Sequence, residues 1–201
     1  MKKIYIIFLL LDITSMAQAP YERVVVEAGT RIPVGKLADI MDVSPEAGAW
    51  LRSRLGNGDM LDIGGSVFIP VNTGEFDYYT RDGVFQVKAK AVSGMAGFRF
   101  NKLYAVGFNR VLEWQSSFGY AWLTYNDEQA KYRDAIEYGD STNHSYTKGF
   151  STFHVGQGVR YNIDNVGLQA VYNFTPYGMF SDYVPQDFGS HSFTLSIIYR
   201  Q

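Results

Sequence analysis

Arg110 to Thr124 reads RVLEWQSSFGYAWLT. Leu112, Trp114, Phe118, Tyr120 and Trp122 share one parity of this stretch, and Glu113, Gln115, Ser117, Gly119 and Ala121 share the other. Side chains of an extended strand alternate between its two faces, so the stretch has one large apolar face and one face of small, polar or charged groups. Its length suits a tilted strand crossing a bilayer.

The same alternation recurs in both directions. A first segment at about 22–33 sets Val24, Val26, Ala28, Thr30 and Ile32 against Val25, Glu27, Gly29 and Arg31, and Pro33 and Gly35 end it. A second at about 45–55 reaches Gly56-Asn57-Gly58-Asp59, a tight hairpin signal, before a third at about 60–70 with Leu61, Ile63, Val67 and Ile69 on one face. The fourth, at about 84–100, alternates Phe85, Val87 and Ala89 with Gln86, Lys88 and Lys90, then slips phase before Phe98 and Phe100. A β-bulge between Ala91 and Gly94 is expected to repair it. The quoted stretch is the fifth. The sixth (about 150–162) carries Phe153, Val155, Val159 and Tyr161, the seventh (about 167–175) Leu168, Ala170, Tyr172 and Phe174, and the eighth (about 191–200) Phe193, Leu195, Ile197 and Tyr199. The connections near 56–59 and 162–166 are short, whereas 71–83, 125–148 and 176–190 are longer and polar. Short turns at one end and long loops at the other are the habit of outer-membrane barrels. The connection near 101–109 is poorly marked.

Lys2 and Lys3 followed by the apolar run Ile4 to Leu11 have the form of a secretory signal peptide, too short to span a bilayer as a helix. Cleavage after Ala17 is preferred, because cleavage after Ala19 would leave Pro20 next to the cut. The expected organisation is a signal peptide at 1–17 (or 1–19) and a barrel domain at 18–201. There is no Cys, which excludes thiolate metal sites and an acylated-cysteine anchor. The formal charge of −2 gives no reason to expect nucleic acid as a partner.

A soluble secreted ligand-binding barrel would show the same period, so the polar face decides. It mixes Glu27, Arg31, Asp62, Lys88, Lys90 and Glu113 with Gly29, Gly119, Ala121, Gly156 and Gly158. Opposite charges among very small residues fit a narrow, self-paired interior better than a solvent surface. An interior polar network of Glu27, Arg31, Lys88, Lys90, Glu113, Gln115 and His154 is therefore expected, filling the lumen and excluding a wide pore. Trp50 shares its face with Arg52 and Arg54, so either it plugs the lumen or the register differs there.

With its signal peptide, eight alternating segments, the Pro33-Val34-Gly35-Lys36-Leu37 stretch and the terminal Ser196-Ile197-Ile198-Tyr199, the chain resembles the small eight-stranded outer-membrane β-barrel domain proteins of Gram-negative bacteria. The resemblance implies an all-β, single up-and-down antiparallel transmembrane barrel in the bacterial outer membrane, and transfers no functional residue.

Lipid-modifying barrels of the deacylase type set a His and a Ser two positions apart on one strand. Here the pairs His144-Ser145 and His191-Ser192 are adjacent, which sends their side chains to opposite faces. No catalytic, cofactor or metal site is expected, and the acidic clusters have no calcium-loop pattern. Outer-membrane lipids are the expected partners, with another outer-membrane or periplasmic protein as a further possibility. Arg23, Arg52, Arg54, Arg99, Arg160 and Arg200 fall toward one end of their strands, as a periplasmic rim for lipid headgroups or docking would require. Tyr125, Tyr132, Tyr138 and Tyr146 offer contacts for recognition by the loop at 125–148.

Overall fold

A sheet with one apolar and one charged face suits neither water nor lipid while it stays flat, and closing it on itself gives each face its own medium. The computed structural model describes residues 24–81, 83–89, 92–126, 147–186 and 188–201. Within them run β1 (Val24–Val34), β2 (Ser44–Arg54), β3 (Met60–Phe68), β4 (Glu75–Thr80), β5 (Gly83–Ala89), β6 (Ser93–Gly107), β7 (Arg110–Asn126), β8 (Thr147–Ile163), β9 (Val166–Phe174) and β10 (His191–Arg200). Strands β1, β2, β3, β6, β7, β8, β9 and β10 pair antiparallel in that order, and β10 returns to β1. The fold is a closed eight-stranded up-and-down barrel of outer-membrane type.

Stagger follows from the register. Crossing the strands from Val24 through Leu51, Ile63, Phe98, Phe118, Val155, Phe174 and His191 returns to β1 at Val34, ten residues beyond the start. At about 3.3 Å per residue and about 4.8 Å between strands, that shear tilts the strands by about 40°. Every residue named on this path points outward. Leu51, Ile63, Phe98, Trp114, Phe118, Tyr120, Leu168, Leu195 and Ile197 form an exposed apolar belt around the wall.

The next inward-facing row begins at Trp50 and continues through Gly64, Gly97 and Gly119. Three glycines beside one buried indole leave the lumen wide enough to hold it. They also let the backbones of β6 and β7 approach closely, since a Cβ on Gly119 would lie 2.2 Å from the Ala96 carbonyl oxygen. Trp50 is therefore a lumen residue in the register read from the sequence.

One strand differs from expectation. The segment 84–100 is two elements: β5 belongs to a β4–β5 hairpin at the loop end, and the wall strand β6 starts at Ser93 and runs on to Gly107. A hairpin at the loop end and a wall strand share the period of two, so alternation could not separate them. The poorly marked connection contracts to Phe108-Asn109, with Asn109 at φ 58° supplying the turn.

The hairpin joins the top of β7 and folds its Phe76, Tyr78, Val87 and Ala89 over the barrel mouth. Phe76 meets Phe188 at 4.8 Å, Tyr125 stacks on Phe150 at 4.7 Å, and Leu37, Ile40 and Met41 complete an aromatic cap. Main-chain bonds from Tyr79 to Tyr183 (2.8 Å) and from Gly74 to Ile40 (2.7 Å) tie the loops together.

Gly119→Val should prevent closure, because the obstacle is the backbone of β6 rather than a movable side chain. The compact form that migrates fast on unboiled gels should be lost, while Ala121→Gly retains it.

Candidate functional site

Each wall strand contributes inward side chains at every second position, and a lumen this narrow brings them into direct contact. Toward the loop end, Arg31 binds Glu46 through two bonds (Nε–Oε2 3.1 Å, Nη2–Oε1 2.9 Å). Ser66 and Thr194 donate to the same carboxylate at 2.5 and 2.9 Å, and the Arg31 guanidinium lies 4.5 Å from the Phe68 ring. Below it, Arg99 clasps Glu27 at 2.6 and 2.8 Å, while Trp50 Nε1 and Gln169 Nε2 donate to Glu27, each at 3.1 Å. Arg99 also stacks 3.5 Å from the Trp50 ring.

The third layer is the densest. Arg52 engages Asp62 at 2.7 and 2.9 Å and Glu113 twice at 3.1 Å. Arg160 reaches Glu113 at 3.0 Å, Gln169 at 2.7 and 3.0 Å and Gln115 at 3.2 Å. Asn162 donates to Glu113 at 2.8 Å, and Arg200 approaches it at 3.4 Å. Among the described residues, five buried arginines (31, 52, 99, 160, 200) thus face four buried carboxylates (27, 46, 62, 113), leaving one net positive charge inside the wall. His154 is buried beside them, its Nε2 3.0 Å from Asn173 Oδ1. Tyr177 closes the top of this column, and burial pushes its hydroxyl up to about 12.

Of the interior residues read from the sequence, Glu27, Arg31, Glu113, Gln115 and His154 lie in this column. Lys88 does not: it sits on the open face of the β4–β5 hairpin, its ammonium 3.5 Å from Glu75 with more than half of the side chain exposed. Its parity was read correctly, but its strand is not part of the wall. Lys90 and Arg23 lie outside the described residues, as do the signal peptide, Tyr132, Tyr138 and Tyr146. The proposed arginine rim also needs correcting. Arg52, Arg160 and Arg200 are near one end of their strands and Arg99 lies midway along β6, but all four are buried among carboxylates, so they are not presented to a partner or a headgroup; Arg54 alone of the described set is exposed. Tyr125 likewise belongs to the cap interior and not to a recognition surface.

Sequence reasoning missed Glu46, Asn101, Asn162, Gln169, Asn173 and Thr194 as members of the network. Their signal was available, since each is a polar residue at an inward parity on an alternating strand. The His191-Ser192 pair splits as its adjacency requires, His191 outward to the Tyr172 hydroxyl at 2.5 Å and Ser192 into the lumen.

No protein-family model and no curated protein matches this sequence. Among solved structures, the chain is similar to Ail, the attachment invasion locus protein of Yersinia pestis, in complex with the heparin analogue sucrose octasulfate. That superposition has a TM-score of 0.41 and 13% identity, covering 90% of this chain and 97% of that one. A second structure of Ail gives 0.36 and 14%, with the same coverage.

Glu113 holds three arginines, and removing it leaves buried cations without their shared partner. Glu113→Ala should lower stability by about 3–5 kcal/mol, whereas Lys88→Ala on the exposed hairpin should cost at most about 1 kcal/mol. Urea unfolding of the barrel refolded into lipid vesicles measures both.

Proposed function

We propose that this chain is an integral protein of the bacterial outer membrane that performs no catalysis and serves as an accessory or structural subunit, or as an interaction protein through its loops. The observation that carries this reading is inverted polarity. Charges are buried in the lumen, while Leu, Ile, Phe and Trp face outward all round the wall. A soluble ligand-binding barrel needs the opposite arrangement, an apolar interior and a wettable exterior. In hydrocarbon, the present arrangement leaves no main-chain edge open around the barrel and no charge facing the lipid chains.

The packed lumen argues against a diffusion pore. It argues against ester hydrolysis too: Ser117 and His154 both border Gly156, but both are buried inside the wall, where a lipid ester has no approach. The even strand number and the short turns at 55–59, 108–109 and 164–165 support an orientation with that end in the periplasm and the cap outside the cell. The recognition surface is then the outer face of the cap, where Tyr79 and Val84 are exposed on the β4–β5 hairpin.

The protein should fractionate with outer membranes and conduct no ions in planar bilayers; recovery as a soluble periplasmic protein would overturn the reading. Because the chain has no Cys, single cysteines report topology cleanly. A membrane-impermeant maleimide should label Tyr79→Cys on intact cells and Asn57→Cys only after permeabilisation.

A further inference from the structure

Strand β6 outruns its neighbour. β3 begins at Met60, opposite Asn101, and the last tie on that side is the Leu103 amide donating to Asp59 Oδ1 at 3.3 Å. Beyond it β6 is paired only with β7, the amide and carbonyl of Ala105, two residues on, face the same open side, and a bulge between Ala105 and Gly107 ends the regular edge. A strand edge open on one side is a template for another strand.

The side chains there are unusual for such a place. Lys102 on β6, level with Trp114, and Arg110 on β7, level with Gly107, are the outward-facing charges of these two strands. Past Lys102, however, Tyr104 and Val106 are exposed on β6, a bulge follows between Ala105 and Gly107, and Phe108 in the turn is 93% exposed. The Lys102 ammonium lies 5.7 Å from the Tyr104 ring, so cation and apolar ribbon share one face. The tip is positioned by its own turn and by the Asp164 amide, which donates to the Asn109 carbonyl at 3.1 Å. The tip is thus an ordered ribbon of three large exposed apolar groups flanked in sequence by two cations, Lys102 and Arg110.

We propose that the β6–β7 tip is a strand-addition site for a periplasmic protein, pairing the short edge at residues 103–105, before the bulge, with an extended segment that alternates apolar side chains and carries carboxylates at its ends. Main-chain bonds to the open edge supply register, Tyr104, Val106 and Phe108 supply the apolar contact, and Lys102 and Arg110 select the acidic ends. Lipid chains fit the tip less well, because hydrocarbon offers nothing to pair with the open amide and carbonyl of Ala105. A second copy fits less well too, because two barrels inserted in the same sense present this edge in parallel orientation. The inference rests on the membrane reading above, and on its orientation.

A photoreactive phenylalanine analogue at position 108, activated in intact cells, tests it. The expected adduct maps by mass spectrometry to a protein segment with alternating apolar residues and flanking Asp or Glu. Ala105→Pro removes the open donor without touching a barrel hydrogen bond and should reduce the adduct about tenfold, the effect of one or two edge bonds, while Ala105→Val should leave it in place. Lys102→Glu combined with Arg110→Glu should reduce it as well. The unboiled gel shift shows that each variant is folded. No adduct, adducts only with phospholipid or a second copy, or a protein adduct indifferent to Ala105→Pro, overturns the proposal. The same analogue at position 195, within the belt, should capture lipid; failure there would remove the membrane reading itself.

Discussion

Glu113 with its three arginines is the interaction on which the barrel depends. A lumen bounded by eight strands holds side chains and little else, so a charge within it must be met by another side chain. Arg52 comes from β2, Arg160 from β8 and Arg200 from β10, and all reach the one carboxylate on β7. That convergence fixes the relative position of strands far apart in sequence. It also sets the shear, since a slip of one strand by a single residue would send its charges into the lipid and its Leu and Phe into the charged column.

Above the ion pairs lies a second core of opposite character. The cap is built from aromatic and aliphatic groups of β4, β5, the tops of β7 and β8, and the loops at 35–43 and 175–190. The two cores meet where Arg31 stacks on Phe68 and where Tyr177 is buried. The membrane-level wall encloses charge, and the part that stands outside the belt encloses hydrocarbon, so each region packs against its surroundings by contrast. The β4–β5 hairpin thereby keeps a supported outer face, which gives loop-mediated recognition a rigid base.

Much of the wall was legible in the sequence because period two survives any tertiary context. The inward and outward faces of β1, β3 and β7 follow from parity alone, and the lumen position of Trp50 beside Arg52 is one of the two readings that parity left open. Parity says which face a residue takes, and says nothing of how far along the axis its strand belongs to the wall. Lys88 was misplaced for that reason, since β5 alternates as a wall strand does. The arginines at strand ends were read as a rim because the sequence shows position along a strand, while their burial depends on carboxylates such as Asp62 and Glu113 that a register of several strands brings alongside. Glu46 and Gln169 are parts of the network for the same reason, visible as polar inward residues but partnered only once the barrel closes.

The enclosure of the ion pairs has a consequence for the medium in which the protein works. Mobile ions weaken attraction between charges that they can surround, over a distance of about 8–10 Å at ordinary ionic strength. Glu75 and Lys88 on the hairpin are open to that effect. The arginines and carboxylates of the lumen are walled off from it by the sheet around them and the cap above. A barrel joined by electrostatic attraction is thus insulated from brine: added salt reaches the pair on the hairpin and leaves those inside the wall as they are.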